Sequence, residues 1–457
     1  MRFGAKQLEL WSGGEWEGVV PELVGGFCKD TREIVPGELY VAIRGERFDG
    51  HGFVAQALGA GAAGALVERG VDVDAPDGAA LLRVDDSVAA LGCIARGWRK
   101  MLGVEVVGVT GSVGKTTVKE MLVAILSQVM STVGTRGNWN NEIGLPLSML
   151  LLQADTQAGV FEAGMNHAGE IAVLSEIMCP QWGVVTAVGP AHIEFFDSVE
   201  AIAREKGELL RSLPAGGHAV LCSDDEYFGI LGDCVACELT TVSVRGDADY
   251  VVGVDVGRGR LVVSERSSGD VLDFAWNQPG EHNALNAAYA IAVARGMGVA
   301  WEYVEQGLAA YQPAAMRWQV DDIGGVTVVN DAYNANPLSM RAALKSFAEM
   351  GVSGRKWVVL GDMLELGRQA SVEHVGLGKA AAGSDWCGVV AVGGFAGEIA
   401  DGLRQGGFAG GVWQSSDAAD AAEVLRDRIM TGDAVLLKAS RGLKLEDVVN
   451  ELSKSRK

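Results

Sequence analysis

A chain of 457 residues exceeds what one ordinary core accommodates, so its length points to about three domains. With 48% hydrophobic and 21% charged residues it is globular rather than disordered, and a net charge of -21 excludes a broad non-specific grip on nucleic acid, which needs surplus Lys and Arg. The opening MRFGAKQLELWSGG lacks the apolar run of a signal peptide, no later stretch has the roughly 18 uninterrupted apolar residues of a membrane span, and the cysteines follow no framework spacing, so a soluble, cytoplasmic protein with reduced thiols is expected.

In chain order, the strand-like runs LYVAI (39–43) and GALVE (64–68), with FVAQALGAGAAG (53–64) as a helix, predict a small α/β domain over residues 1–102. A helix near 86–101 ends at Gly103, and the apolar strand VEVVGVT (104–110) opens a second unit, 103–314. There GVFEAG (159–164), WGVVTAV (182–188) and HAVLC (218–222) alternate with helical patterns, as a mostly parallel, doubly wound sheet requires. Within 240–275, VSVRG, DYVVGVDV, GRLVVSE and VLDFAW predict an antiparallel excursion before a helix beginning near His282. A third unit, 315–457, alternates VTVVN (326–330), KWVVLGD (356–362), GVVAVGG (388–394) and DAVLLKAS (433–440) with helices and reads as Rossmann-like. The lone Cys234-x-x-Cys237 pair has no second pair at zinc-ribbon spacing and is not read as a metal site.

The most informative segment is VEVVGVTGSVGKTTVKEMLVAIL. A buried strand passes through a Gly-bearing turn into a helix whose apolar positions, Val118, Met121, Leu122, Ile125 and Leu126, follow helical spacing. Gly111 and Gly114 let the backbone curl around an anion, the exposed N–H groups and the helix N-terminus supply partial positive charge, and Lys115 adds a full one. Val109 stands where GxxxxGK[ST] has its first Gly, leaving TGSVGKTT. The order strand, turn, lysine, hydroxyl, helix reads as a cradle for ATP. Gly111, Ser112, Val113, Gly114, Lys115, Thr116 and Thr117 would surround the phosphates, with the Thr116 hydroxyl on Mg²⁺.

TGSVGKTT is the form of P-loop found in the Mur ligases and the related folylpolyglutamate synthetases. The chain resembles that family from DTREIVPGELYVAIRGERFDGHGFV (30–54) to LLKASRGLKLEDV (436–448). GNWNNEIGLPLSML (137–150) resembles the GNxNNxxGxP segment of the member that adds D-alanyl-D-alanine to a UDP-linked muramoyl tripeptide. The resemblance implies an α/β fold of three domains: a small N-terminal α/β domain that binds the UDP-muramoyl substrate, a central P-loop ATPase domain with a mostly parallel sheet, and a C-terminal Rossmann-like domain. It further implies UDP-N-acetylmuramoyl-tripeptide and D-alanyl-D-alanine as substrates, ATP with two Mg²⁺, an acyl-phosphate route to the amide, and a monomer with no nucleic acid and no membrane span.

By the same resemblance Lys115, Lys206, His192 and Arg317 are the expected catalytic residues, and Thr116, Glu162, His192 and Lys206 the metal ligands. His192 follows the strand WGVVTAV at the carboxyl end of the sheet, where ligands of open α/β folds gather. Lys206, which by default is a solvated helical lysine, matches a lysine that the family carbamylates with CO₂, and that reaction needs a neutral amine. His167, in MNHAGE, serves structure or substrate. His282 and Asn283, in a segment similar to the family's G-x-HN, are expected to hold the nucleotide, with Asn283 either on the adenine edge or capping the helix. Arg317 would reach the transferring phosphate and Asp331 the ribose or its loop, with Tyr333, Asn334 and Asn336 completing the pattern. Thr31, Arg32, Asp49 and His51 are expected at the UDP-sugar, Arg32 serving either the diphosphate or a structural ion pair, and Asn138, Asn140 and Asn141 at substrate. Another amino-acid ligase of the family and a non-catalytic nucleotide-binding regulator are the alternatives. GNWNNEIGLP and the joint presence of Lys115, Glu162, His192 and Lys206 favour the dipeptide-adding ligase.

Overall fold

A computed structural model describes residues 2–45, 47–255 and 257–455. Glu46 of the GERFDGH segment and Val256 of DYVVGVDV therefore lie outside the described residues, as do Met1, Arg456 and Lys457.

The N-terminal sheet runs in the order Glu15–Glu17, Leu81–Val84, Gly64–Glu68, Leu39–Val41, Phe27–Cys28, antiparallel at the first pair and parallel thereafter. Alternation sends Tyr40, Ala65 and Val67 to one buried cluster with Val54 and Ala57, and Val41, Leu66 and Leu82 to another with Leu91 and Ile94. The helix Ser87–Leu102 starts where the Asp86 carboxylate accepts from the N–H groups of Val88 and Ala89, and it stops at left-handed Gly103. The helix expected over 53–64 is shorter, Val54–Gly59, because the run of glycines beyond it carries a low helix propensity.

The central sheet has nine strands in the order Val271–Ala275, Arg260–Glu265, Tyr250–Asp255, Glu238–Ser243, His218–Cys222, Trp182–Val185, Glu105–Thr110, Ala158–Glu162, Thr132–Gly134. Val107 and Val109 face the helices Lys115–Leu126 and Glu281–Gly296 through Val118, Met121, Leu122, Ala287 and Ile291. Phe161 and Val185 face Glu170–Met178 and Val199–Arg211 through Leu174, Ile202 and Leu209. The antiparallel excursion is narrower than the sequence suggests. Glu238–Ser243 pairs parallel with His218–Cys222 and with Tyr250–Asp255, so only the last three strands alternate in direction. Strand order reverses around Glu105–Thr110, which pairs with Ala158–Glu162 on one side and Trp182–Val185 on the other, and the loops leaving these three carboxyl ends build the site.

The C-terminal sheet, Gln319–Ile323, Val326–Asn330, Ala434–Lys438, Lys356–Gly361, Gly388–Val392, Gly411–Ser415, is parallel except at its first pair. Its near-continuous apolar strands are covered on both faces, Val328, Val359 and Leu437 on one and Val329, Val358 and Leu436 on the other. Among the described residues no helix is long and apolar enough to cross a membrane.

Candidate active site

The loop after Glu105–Thr110 is shaped by two glycines. Gly111 has φ +149, and a Cβ there would lie 2.0 Å from Thr186 Oγ1; Gly114 has φ +92, and its Cβ would lie 2.5 Å from Asn286 Oδ1. The loop is tied to the segment after Trp182–Val185. Ser112 N donates to Ala187 O at 2.7 Å, Ser112 Oγ to Gly189 O at 3.0 Å, and Thr186 Oγ1 to Val113 O at 2.5 Å. Lys115 starts the helix and folds back so that Nζ donates to Gly111 O at 2.7 Å. Burial pulls its pKa down to about 8, Glu162 offsetting this in part and Arg317 adding to it. An under-compensated ammonium ringed by backbone N–H groups is a site for a polyanion.

Glu162 ends its strand 1% exposed. Oε2 accepts from Thr116 Oγ1 at 3.2 Å and Asn140 Nδ2 at 3.4 Å, while Oε1 accepts no hydrogen bond. Lys119, equally buried, brings Nζ to 3.7 Å from that oxygen and donates to Thr135 O at 3.1 Å and to Glu120. A buried carboxylate oxygen without a donor, beside a hydroxyl, fits a hard cation such as Mg²⁺. Lys119 is not among the site residues expected from the sequence. The available signal was spacing: it lies four residues after Lys115 and three after Thr116, on their face of the helix.

His192 borders the same cavity in a left-handed conformation, φ +59, with Nδ1 2.5 Å from Glu365 Oε2 of the C-terminal domain. The angle is poor for a hydrogen bond, so the contact is chiefly electrostatic, and the imidazole holds the Glu365 carboxyl below the usual carboxylate range. Lys206 sits in Val199–Arg211, 2% exposed and behind the cavity wall rather than lining it. Burial, and then the neighbouring Lys115 charge, hold its amine well below the ordinary lysine range. Among the described residues no group of three or more His, Cys, Asp or Glu side chains is gathered as a metal cluster. His167 is exposed, its ring tilted at 52° against Phe195 with centroids 4.6 Å apart, and its Nδ1 lies 3.1 Å from Glu170.

On the nucleotide side, burial pushes the His282 pKa down to about 4, so the ring is neutral at pH 7. Gly280, not Asn283, is the N-cap of Glu281–Gly296. Asn283 instead donates from Nδ2 to Pro279 O at 2.8 Å and receives Asn286 Nδ2 at 3.4 Å. The C-terminal domain supplies the opposite wall. Arg317 stacks over the Tyr333 ring at 4.2 Å; Asp331 accepts from Lys438 Nζ at 2.6 Å and from Trp318 N at 3.1 Å; Lys438 also donates to Asn334 O at 3.3 Å. Asn336 caps Pro337–Glu349 and reaches across to Ser112 O at 3.5 Å. Lys438, 3% exposed, is likewise absent from the site residues expected from the sequence.

One cavity of about 380 Å³ thus brings together Ser112, Val113, Gly114, Lys115, Thr116, Thr117, Asn138, Asn140, Glu162, His192, His282, Asn283, Arg317 and Asp331, along with Tyr333, Asn334, Asn336 and Lys438. Gly111 lies just behind its wall. Asn141, exposed with Oδ1 accepting from Gly144 N at 2.9 Å, stands outside it, as do the four N-terminal residues. Arg32 makes an ion pair with Nη2 2.5 Å from Asp30 Oδ2 on a side chain 83% exposed. Asp49 accepts from His51 N and Nδ1 and from Arg44 Nε, and these bonds, the His51 N–H first, bring its pKa to about 2. The expected substrate contact from His51 does not hold. It is 3% exposed, and both ring nitrogens are used, Nδ1 by Asp49 at 2.6 Å and Nε2 by Glu68 N at 3.0 Å. Thr31 is half-buried beside Arg32.

The profile of the Mur ligase middle domain matches residues 109–294, and that of the Mur ligase glutamate ligase domain matches residues 316–441. A relative from Bacillus subtilis (strain 168), named UDP-N-acetylmuramoyl-tripeptide–D-alanyl-D-alanine ligase, is 35% identical over 434 residues, 95% of this chain and 94% of its own. Among solved structures, MurF from Acinetobacter baumannii superposes with a TM-score of 0.89 at 30% identity, covering 99% of each chain. The MurF ligase of Thermotoga maritima in complex with ADP gives 0.80 at 29% identity, covering 94% of this chain and 97% of its own. Likeness of this extent, in sequence and in fold, means that this chain belongs to the Mur ligase family.

Proposed function

We propose that this enzyme joins D-alanyl-D-alanine to the terminal carboxylate of UDP-N-acetylmuramoyl-tripeptide at the expense of ATP, in peptidoglycan precursor synthesis. The observation that carries the reading is the single cavity in which the phosphate loop, the Glu162 carboxylate and the cationic wall of the C-terminal domain face one another. The full-length relative named for this reaction supports the choice of substrates, and the ADP complex of the Thermotoga maritima ligase supports the nucleotide.

A carboxylate is a poor electrophile. Transfer of the γ-phosphoryl group to it makes an acyl phosphate and releases ADP; the dipeptide amine then attacks the acyl carbon and phosphate leaves. Lys115 follows the phosphates, and Arg317, held flat against Tyr333, meets the charge developing on the transferred group. The Lys438–Asp331 pair fixes the loop that carries Tyr333 and Asn334. Thr116 and Glu162 would hold one Mg²⁺, and His192 with a carbamylated Lys206 would serve a second; the ions screen phosphate charge when bound. Lys206 suits carbamylation because its amine, deprived of solvent and placed near Lys115, is disposed to be neutral. Thr31, Arg32 and Asp49 on the UDP-sugar, with Asn138, Asn140 and Asn141 on the peptide, complete the proposal. A monomer working in the cytoplasm is the remaining part of the proposal.

The test is acceptor choice. ADP formation from UDP-muramoyl tripeptide and ATP should require D-alanyl-D-alanine and should not be supported by free lysine, diaminopimelate or glutamate. Turnover with one of those three and none with the dipeptide would move the protein to a sister ligase.

A further inference from the structure

We infer that Glu365, carried by the C-terminal domain, is a positioning residue for His192 and makes the orientation of that imidazole depend on contact between the two domains. The inference rests on the reading of the cavity given above. Glu365 Oε2 lies 2.5 Å from His192 Nδ1, and the two segments are joined a second time where Glu194 N donates to Glu365 O at 3.1 Å. Gly367, at φ +50, allows this approach, since a Cβ there would come within 3.2 Å of Glu194 Cβ.

Backbone strain marks the same place. Six non-glycine residues have positive φ among the described residues, Cys179, His192, Met316, Trp318, Glu365 and Lys444. His192 (φ +59) and Glu365 (φ +62) are the two that meet, and Met316 and Trp318 flank Arg317 on the same cavity. Each such conformation is unfavourable for a residue with a Cβ and persists only where its surroundings hold it. Two strained residues from different domains in mutual contact indicate that the contact is what holds them.

The chemistry follows from the imidazole. The Glu365 carboxylate beside Nδ1 favours the proton on that nitrogen by its charge, which leaves the Nε2 lone pair for the cavity the ring borders. Glu365 belongs to the loop after Lys356–Gly361 and His192 to the loop after Trp182–Val185, so separating the domains removes the carboxylate from the ring. An oriented His192 therefore exists only when Arg317 and the phosphate loop already face each other. That arrangement confines phosphoryl transfer to the assembled site.

The experiment uses the full chain with Glu365→Ala, Glu365→Asp, His192→Ala and the Glu365→Ala/His192→Ala pair. The Glu365 side chain is 42% exposed, so its removal should leave thermal unfolding unchanged. Glu365→Ala should lower kcat about 10- to 100-fold with KM for ATP unaltered, the range seen when the carboxylate partner of a metal-site histidine is removed, and Glu365→Asp should recover part of it. The double variant should be no slower than His192→Ala alone. Binding of Mn²⁺ to the ADP complex, followed by electron paramagnetic resonance, should lose its weaker class of sites in Glu365→Ala. Losses that multiply in the double variant, or unchanged kcat and Mn²⁺ binding in Glu365→Ala beside an inactive His192→Ala, would overturn the positioning role alone. Full activity in His192→Ala would overturn the reading of the cavity beneath it.

Discussion

Alanine at Gly111 tests whether the phosphate loop is held by the geometry described. The added methyl falls at φ +149, a region that costs a non-glycine residue about 1–3 kcal/mol. It would also lie 2.0 Å from Thr186 Oγ1 and 3.2 Å from Ala187 N. Thr186 cannot swing aside without withdrawing its one hydroxyl proton from Val113 O at 2.5 Å, with Thr110 O beside it at 3.3 Å, and a buried carbonyl left without its donor costs about 1–3 kcal/mol. Allowing about 1 kcal/mol or more for overpacking, and for incomplete additivity, the loop should be destabilised by about 3–6 kcal/mol. A three-domain chain does not unfold in one step, so the measurement must be local: native-state hydrogen exchange of the amides at 108–117. ADP affinity should fall at least roughly tenfold in parallel, a change of about 1.4 kcal/mol. Separating the terms needs the Thr186→Ala background, where Oγ1 is gone and the nearest atom left on residue 186 is Cβ at 3.2 Å. There the Gly111→Ala penalty should shrink by about 1–3 kcal/mol, leaving the backbone term. The same penalty in both backgrounds, or unchanged exchange and ADP binding in Gly111→Ala, would refute the steric argument.

Two further predictions concern the buried amines. Because burial brings Lys115 to about 8 from 10.5, the unfolded chain binds more protons between those values, and this group's contribution to stability rises as pH climbs through that window. A bound polyphosphate reverses the shift, so ADP binding should take up about half a proton near pH 8 and almost none near pH 6.5. Calorimetry in buffers of different ionisation enthalpy measures the uptake, and uptake that persists in Lys115→Met would count against the assignment. Lys206→Ala should lose most activity, and formate or acetate should restore part of it by occupying the vacated anionic position. Undiminished activity in Lys206→Ala would defeat the carbamate reading.

Where the signal was local, the sequence was enough. Strand, turn, lysine and helix follow one another from Glu105 to Leu126, and each step has its own physical cause, so Lys115 and Thr116 fall where expected. Histidine 51 could not be read this way, because nothing in GERFDGH says that the ring is buried or that Glu68 N, seventeen residues on, claims its second nitrogen. The direction of Glu238–Ser243 was likewise invisible, since short β-branched runs look alike whether they pair parallel or antiparallel. Glu365 became visible only once the domains were brought together, and Lys438 only once the strands of its own sheet were paired, because their partners, His192 and Asp331, lie 173 and 107 residues away in the chain.

A protein of net charge -21 that binds a polyphosphate must gather cations locally, and the way it does so explains the buried polar side chains. Burial and then the Lys115 charge depress the protonation of Lys206, while burial and Arg317 depress that of Lys115. Lys438 is cancelled by Asp331, and Lys119 is drawn to Glu162 and Glu120. The cations left to face a ligand in the cavity are therefore Lys115 of the central domain, offset in part by Glu162, and Arg317 of the C-terminal domain. Separation of the domains would relieve the repulsion by Arg317 and raise Lys115 toward its ordinary range, whereas closure on a bound polyphosphate turns the same repulsion into shared attraction for the ligand. On this argument a bound nucleotide would supply the counter-charge to the facing cations, and its binding would be coupled to contact between the domains in one electrostatic equilibrium.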